Sequence, residues 1–114
     1  MASANSPVPG APVRGSTTGR PIMAALDLLG RRWTLRLIWE LRGGPMGFRA
    51  LQARCEGMSP SVLSQRLSEL VESGVVAQND TLSYGLTRRG DELLQALTPL
   101  NDWAARWARE STAP

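Results

Sequence analysis

The 114-residue chain contains no histidine, no lysine and a single cysteine. Without histidine, the commonest general base and metal ligand is missing. The sequence also lacks a glycine-rich phosphate-binding loop and a nucleophile elbow. We therefore expect a protein that is not an enzyme and that binds neither a cofactor nor a metal ion.

The single Cys55 cannot form a disulfide within the chain, which fits a reducing compartment. The first residues lack the basic start and apolar core of a signal peptide. The longest apolar runs, such as the one around residues 35–39, are much shorter than a bilayer span. These features predict a cytoplasmic protein with no membrane partner.

All 13 basic residues are arginine, whose planar guanidinium suits phosphates and base edges, although genome composition is the simpler explanation of the missing lysine. Their distribution is more informative. Residues 31–66 contain seven arginines and two glutamates, a net charge of +5, and residues 67–114 have a net charge of −3. This asymmetry indicates a polyanionic partner.

Three regions differ in composition. Residues 1–19 are rich in proline, glycine, serine and threonine without apolar periodicity, which predicts a disordered N-terminal arm. The folded domain is predicted over residues 20–110, followed by a C-terminal tail over residues 111–114. Because so short a chain buries only a small core, a homodimer that shares apolar surface is expected.

The first two predicted helices form the centre of the domain. Pro21 suits the first position of a helix that ends at Gly30. The next segment, WTLRLIWELRGG, is apolar nearly all round, so it is predicted to be a surrounded central helix with its two tryptophans in the core. Arg36 and Glu40 are one turn apart and should pair on its exposed edge. Arg31, between the two helices, is expected on a solvated face.

Further capping signals divide the rest of the chain. FRALQARC is predicted to be a short amphipathic helix, and Ser59 should cap a second helix that Gly74 terminates. VVAQ and LSYGL read as the strands of a short hairpin. Thr87 should cap a last helical region beginning at Arg88, which Pro99 either kinks or divides into two helices.

The capped helix in MSPSVLSQRLSELVESGVV has two different faces at about 100° per residue. Its buried stripe is predicted to comprise Leu63, Leu67, Leu70 and Val71. We call the opposite side the reading face; it comprises Ser61, Ser64, Gln65 and Ser68, the candidate DNA base contacts. Gln65 can bond adenine in bidentate fashion, and the short serines would allow a close approach to DNA. The same serines could simply cover a solvent-exposed helix that does not bind DNA. The order of elements, however, is that of a winged helix–turn–helix domain.

Four blocks of this sequence resemble a known family: ALDLLGRRWTLRLIWEL, then GPMGFRALQARCEGMSPSVLSQRLSELVESGVV, then YGLTRRG, then a closing segment with Trp103. From about Pro21 to Trp107 the chain is similar to the HxlR-type branch of the MarR-like winged-helix transcriptional regulators. The resemblance implies a mainly α fold with a small β-hairpin wing. It also implies a DNA-binding repressor or activator of bacterial origin, dimeric through its first and last helices, with a wing that reaches toward the minor groove.

Three positions depart from that family pattern. Arg20 stands where members commonly have a cysteine, so the thiol switch that some members use is not carried over, and Cys55 is expected to be a buried apolar residue. The hairpin is short, and its acidic, arginine-free tip, residues 78–80, suits the minor groove poorly. Ser61 replaces a longer or basic side chain, so water-mediated contacts or DNA shape are expected to contribute to specificity.

The candidate DNA phosphate contacts are Arg49, Ser59, Arg66, Arg88 and Arg89. Arg49 begins the first helix of the motif, which crosses the DNA backbone in helix–turn–helix proteins. The pair of arginines after the wing lies at a helix start, where backbone N–H groups already favour anions. Arg66 has an equally good alternative, an ion pair with Glu40 or Glu56.

A packing seam runs along the last helical region, where apolar residues follow a 4-3-4-3 spacing. The predicted dimer interface comprises Ile22, Leu26, Leu97, Leu100, Trp103 and Trp107. The same tryptophans would also suit a pocket for a small aromatic effector, although dimer packing is the simpler explanation.

The residues and the resemblance together predict a sequence-specific regulator, expected to be a repressor, that binds double-stranded DNA as a homodimer on a pseudo-palindromic operator. The alternative is a winged-helix module that binds another protein and not DNA, which the acidic wing tip would favour.

Overall fold

The computed structural model describes residues 6–112 and is mainly helical with one antiparallel hairpin. Its helices are α1 (Pro21–Leu29), α2 (Thr34–Glu40), α3 (Phe48–Arg54), α4 (Pro60–Glu72) and α5 (Arg88–Thr112). A 3-10 turn, Leu41–Gly43, continues α2. The strands β1 (Val76–Gln78) and β2 (Tyr84–Leu86) lie between α4 and α5. The predicted order of elements is therefore confirmed.

Local capping chemistry sets both ends of α4 and the start of α5. The Ser59 hydroxyl accepts a hydrogen bond from the backbone N–H of Val62 at 3.2 Å, which satisfies a free donor in the first turn of α4. Gly74 follows the end of α4 with φ of +81°, a conformation that favours glycine. The Thr87 hydroxyl accepts from the N–H of Gly90 at 3.1 Å at the start of α5. All three predicted caps are confirmed.

The hydrophobic core surrounds α2, in which Leu37 and Ile38 are fully buried. Side chains from every helix and the first strand pack around it: Leu28, Leu41, Leu51, Met58, Leu63, Leu67, Leu70, Val75 and Val76 among them. Cys55 is part of this core and fully buried, and burial raises the pKa of its thiol. This confirms the prediction that Cys55 is a buried apolar residue.

The two tryptophans of the central segment are only half-buried, so the prediction that they lie inside the core is corrected. The guanidinium carbon of Arg32 lies 5.3 Å from the ring centroid of Trp33, and that of Arg42 lies 4.2 Å from the ring of Trp39. An arginine placed over an indole covers apolar surface while its charge stays hydrated.

The hairpin pairs Val76 with Leu86 and Gln78 with Tyr84. Its loop closes on Asn79, whose side-chain oxygen accepts hydrogen bonds from the backbone N–H groups of Thr81 at 3.0 Å and Ser83 at 2.9 Å. Met46 forms an isolated bridge to the first residue of β2, exchanging two backbone hydrogen bonds with Tyr84. This bridge has no signal in the sequence, because a single paired residue has no periodicity.

Helix α5 is continuous through Pro99 and reaches Thr112, so residues 111 and 112, expected in the tail, are helical. Every residue from 98 to 112, the outer half of α5, is exposed. None of the helices within residues 6–112 has the length and apolar character needed to cross a membrane.

The N-terminal segment over residues 6–19 forms turns and one isolated bridge, between Val13 and Ser16. The Ser6 hydroxyl donates to the backbone oxygen of Glu69 at 2.7 Å, which brings the segment beside α4. Residues 1–5, the first part of the predicted disordered arm, lie outside the described residues, as do residues 113–114.

Candidate nucleic-acid interface

Helices α3 and α4 form a helix–turn–helix unit on one side of the domain. The connection between them turns at Gly57, which has φ of +89°, a conformation that a residue with a side chain rarely adopts. Cys55 and Met58 on either side of this glycine are buried, which fixes the turn to the core. The angle between the two helices is therefore set by apolar packing.

The reading face of α4 points into solvent. Its four members, Ser61, Ser64, Gln65 and Ser68, are all exposed, whereas Leu63 and Leu67 on the opposite side are fully or almost fully buried. The reading face thus presents hydroxyl and amide groups, and the exposed carboxylate of Glu72 lies beyond it at the end of α4. Val71, expected in the buried stripe, is 43% exposed and also lies beyond the end of this face.

Two candidate phosphate contacts are solvent-facing arginines. Arg49 is exposed in the first turn of α3, and Arg88 is exposed at the first residue of α5. Ser59, also exposed, already uses its hydroxyl oxygen as the cap of α4, and its Oγ lies 3.3 Å from that of Ser61.

The other two candidates have partners inside the domain. Arg89 donates through Nη1 to the backbone oxygen of Ser73 at 2.9 Å and lies against Gly74, so it terminates α4. Arg66 donates through Nε to the backbone oxygen of Arg32 at 2.8 Å, and its Nη1 lies 3.2 Å from Oε1 of Glu69.

A buried ion cluster, comprising Asp27, Arg31, Arg66 and Glu69, joins α1 to α4. The Arg31 side chain is 7% exposed, and its Nη1 lies 2.8 Å from Oε2 of Glu69, although the N–H is not aligned for a hydrogen bond. Arg31 Nη2 donates to Oδ2 of Asp27 at 3.4 Å. The expected solvated position of Arg31 is therefore wrong, and Arg66 pairs with Glu69, not with Glu40 or Glu56.

Glu69 is not among the candidate site residues predicted from the sequence. A glutamate four residues after Gln65 and three after Arg66 lies within reach of both on a helix, and this spacing was the available signal. Its partner Arg31 is 38 positions away, so only the packing of α1 against α4 shows that the carboxylate is buried.

A second ion group lies at the outer edge of α2. Arg36 Nε donates to Oε2 of Glu40 at 2.7 Å, as predicted, and Arg54 Nη1 lies 3.1 Å from Oε1 of the same carboxylate. The hydrogen bond from Arg36 is the main reason why the pKa of Glu40 is lowered. These contacts hold α3, the first helix of the motif, against α2.

Apolar side chains form an exposed surface on α1 and on the outer half of α5. Ile22 and Leu26 are each 56% exposed, and Trp107 is 60% exposed. Leu97, in contrast, is half-buried against the core. A groove of about 300 Å³ lies between α2 and α5; its apolar lining comprises Leu35, Ile38, Trp39, Leu94, Leu97, Leu100 and Ala104.

With a helix–turn–helix unit, a hairpin and a long terminal helix in this arrangement, the fold is a winged helix–turn–helix. The model of the HxlR-like helix-turn-helix family matches residues 28–112. The chain therefore belongs to the HxlR family of helix-turn-helix transcriptional regulators.

Relatives in sequence and structure agree with this. The uncharacterized HTH-type transcriptional regulator YvaP of Bacillus subtilis is 34% identical over 89 residues, 73% of this chain and 82% of YvaP. The crystal structure of quinone-bound YodB from B. subtilis matches with a TM-score of 0.69 at 29% identity, covering 75% of this chain and 94% of that one. A structure from Enterococcus faecalis assigned to the MarR family matches with a TM-score of 0.71 at 27% identity, covering 87% and 96%.

Proposed function

We propose that this regulator binds a pseudo-palindromic operator as a homodimer, with the reading face of α4 in the major groove. The observation that carries the proposal is the exposure of all four reading-face residues on the second helix of a helix–turn–helix unit. In such units the N-terminal part of the second helix contacts base edges. Its two copies would lie roughly 34 Å apart, one turn of DNA.

The proposed phosphate contacts flank that helix. Arg49 and Arg88 are exposed, and we propose them as direct contacts because flexible arginines at helix starts reach phosphate oxygens readily. Ser59 could add a hydroxyl donor. Arg66 and Arg89 would first have to leave their internal partners, so we assign them a smaller contribution.

The homodimer proposal is supported by the outer half of α5. In proteins most of a helix's stability comes from the packing of an apolar face, yet residues 98–112 are all exposed and include two tryptophans. A second copy, packed through Ile22, Leu26, Leu97, Leu100, Trp103 and Trp107, would cover that face. Leu97 would contribute only its outer edge, because it is already half-buried.

We take repression as the output, because a small domain acts most simply by occupying the operator and blocking transcription. A DNA-binding role also implies the cytoplasm as its compartment. The wing would contribute little affinity, since no arginine lies at its tip and Asn79 is engaged in closing the loop.

The test is a fluorescence anisotropy titration of the full chain with random-sequence duplex at low salt, followed by selection of preferred duplexes from a random pool. We expect binding whose affinity falls steeply with salt, because arginine–phosphate contacts release counterions. No binding at micromolar protein would contradict the proposal and favour the alternative, a winged-helix module that binds another protein.

Replacement of Gln65 with alanine tests the reading face directly. If Gln65 bonds an adenine, the selected duplex should lose about 1–3 kcal/mol of discrimination at one base pair, while binding to random duplex stays the same. Unchanged discrimination in that variant would remove Gln65 from base recognition.

We also propose that the groove between α2 and α5 accepts a small aromatic effector. Its size and apolar lining suit a planar ring, and the relative YodB has been crystallised with a bound quinone. A planar aromatic compound that raises the Tm of the wild-type chain, but not that of Ala104→Trp with the groove filled, would support this. Equal shifts in both proteins would contradict it.

A further inference from the structure

The reading face contains one residue whose side chain is held from inside the domain. Gln65 is exposed, but its Nε2 donates a hydrogen bond to Oε2 of Glu69 at 3.0 Å. The remaining members of the reading face are serines, whose hydroxyls can each act as donor or acceptor. Gln65 is therefore the member whose outward arrangement of hydrogen-bond donor and acceptor depends on another residue, Glu69.

The neighbour is fixed in place. Glu69 is one of two polar or charged residues among the buried set of the described chain, and its side chain is 4% exposed. Guanidinium groups lie on both sides of its carboxylate, those of Arg31 at 2.8 Å and Arg66 at 3.2 Å. Arg66 is in turn bonded to the backbone of the α1–α2 connection. Any movement of this carboxylate would break several contacts at once.

A carboxylate accepts hydrogen bonds and does not donate them, whereas an amide has a donating nitrogen and an accepting oxygen. The contact with Glu69 therefore requires the nitrogen of Gln65 to face the cluster and the oxygen to face away. One N–H is used by Glu69, which leaves the amide oxygen and the second N–H for a partner outside. Adenine in the major groove offers the matching acceptor and donor pair.

From this geometry we infer that Glu69 is a positioning residue, which fixes the amide orientation of Gln65 and thereby sets the base preference of the reading face. The inference rests on the proposed DNA-binding function. Glu69 itself would not contact DNA, because it is buried beneath the side chains it orients.

The test is a double-mutant cycle with Glu69→Gln and Gln65→Ala on the full chain. Glutamine at position 69 keeps the shape of glutamate but can donate as well as accept, so it no longer selects one orientation of Gln65. The probe is the best-bound duplex recovered from a random pool, together with its three alternatives at the base pair where Gln65→Ala loses discrimination.

We expect Glu69→Gln to reduce discrimination at that base pair by about fivefold or more. About fivefold is the lower end of the range expected when one bidentate contact to a base is lost. In the Gln65→Ala background the same change should alter discrimination by less than about twofold, because no amide is left to orient. Glu72→Gln is the matched control: it removes the same charge from an exposed position on α4 and should leave discrimination unchanged.

A measurement on the wild-type chain keeps the inference testable if Glu69→Gln fails to fold. The side-chain amide of Gln65, assigned by its loss in Gln65→Ala, should be more rigid in its NMR relaxation than that of Gln95, which is exposed on α5 and makes no side-chain hydrogen bond within residues 6–112. Equal mobility of the two amides would overturn the inference.

The outcomes separate the two proposals. Two results would overturn the positioning role and leave DNA binding intact. In one, Glu69→Gln keeps the wild-type discrimination between base pairs; in the other, it reduces that discrimination equally in the wild-type and Gln65→Ala backgrounds. Absence of any DNA binding by the wild-type chain would overturn the proposed function, and this inference with it.

Discussion

The indole rings of Trp103 and Trp107 stack on each other with their centroids 5.3 Å apart and their planes 27° from parallel. Both lie on the outer half of α5, where no other described element covers them, and they are 49% and 60% exposed. Each tryptophan can bury a large apolar area. Stacking covers one face of each ring, and the rest of this surface is what a second copy would bury.

Replacing Trp103 and Trp107 together with alanine should therefore shift the chain from dimer to monomer, because the largest apolar side chains of the proposed interface are lost. Size-exclusion chromatography with light scattering measures the mass. Leu82→Ala is a suitable control, since Leu82 is 68% exposed but lies at the wing tip. The same mass for the tryptophan variant and the wild type would contradict the proposed interface.

Adjacent arginines at the start of α5 should behave differently. Arg88→Ala should weaken binding to all duplexes and lower the salt slope by about 1, because an exposed phosphate contact is lost. Arg89→Ala should leave the slope nearly unchanged but lower Tm by roughly a few degrees, because it removes the hydrogen bond to Ser73. Salt titrations and thermal melts of both variants check this, and equal salt slopes for the two would contradict it.

Gly90 in the first turn of α5 has no space for a side chain, because a Cβ there would overlap the backbone oxygen of Val75. Gly90→Ala should therefore lower the free energy of unfolding by about 1–3 kcal/mol, even though alanine favours helices. Gly43→Ala is the matched control, since a Cβ at Gly43 would meet nothing within 4 Å. Urea unfolding measures both, and equal stability of the two variants would show that α5 can shift to relieve the overlap.

Glu40 should make stability depend on pH under acidic conditions. Its pKa is lower in the folded chain than in the unfolded one, so the unfolded state binds more protons and stability rises with pH. The contribution is complete above the ordinary glutamate pKa of about 4.3 and is lost as the pH falls through the lowered value.

Glu40→Gln should accordingly lower the free energy of unfolding by about 1 kcal/mol at neutral pH and flatten its pH dependence below pH of about 4. Urea melts at several pH values measure both effects. Glu92→Gln, which removes an exposed carboxylate from α5, controls for net charge. An identical pH slope in Glu40→Gln and the wild type would mean that this ion group does not contribute to acid stability.

Much of the fold could be predicted because its determinants are local. Pro21, Ser59 and Thr87 begin helices through groups within one turn of the helix start, so neighbouring residues suffice to recognise them. The same holds for the apolar stripe of α4, whose period specifies which side is buried. The reading face followed from that stripe by exclusion, and its exposure is confirmed.

Apart from Arg36, whose partner Glu40 is one helical turn away, the arginines have partners that could not be predicted. A guanidinium on a long, flexible chain reaches a phosphate, a carboxylate or a backbone oxygen equally well, so its sequence position does not select among them. Arg31 is buried because Glu69 packs opposite it. Arg89 donates a hydrogen bond to Ser73 at the end of α4 because the hairpin brings the start of α5 close to that end. Both contacts join segments that are distant along the chain.

By itself, therefore, the sequence determined where elements begin and end, which side of α4 is apolar, and to which family the chain belongs, since each depends on residues within a few turns or on their order. Only the tertiary structure decided that α5 continues through Pro99, where the exposed helix lets water satisfy the carbonyl that proline leaves free. It also decided which charges are neutralised inside the domain and which remain exposed to solvent, because electrostatic pairing depends on distances that arise only when the helices pack.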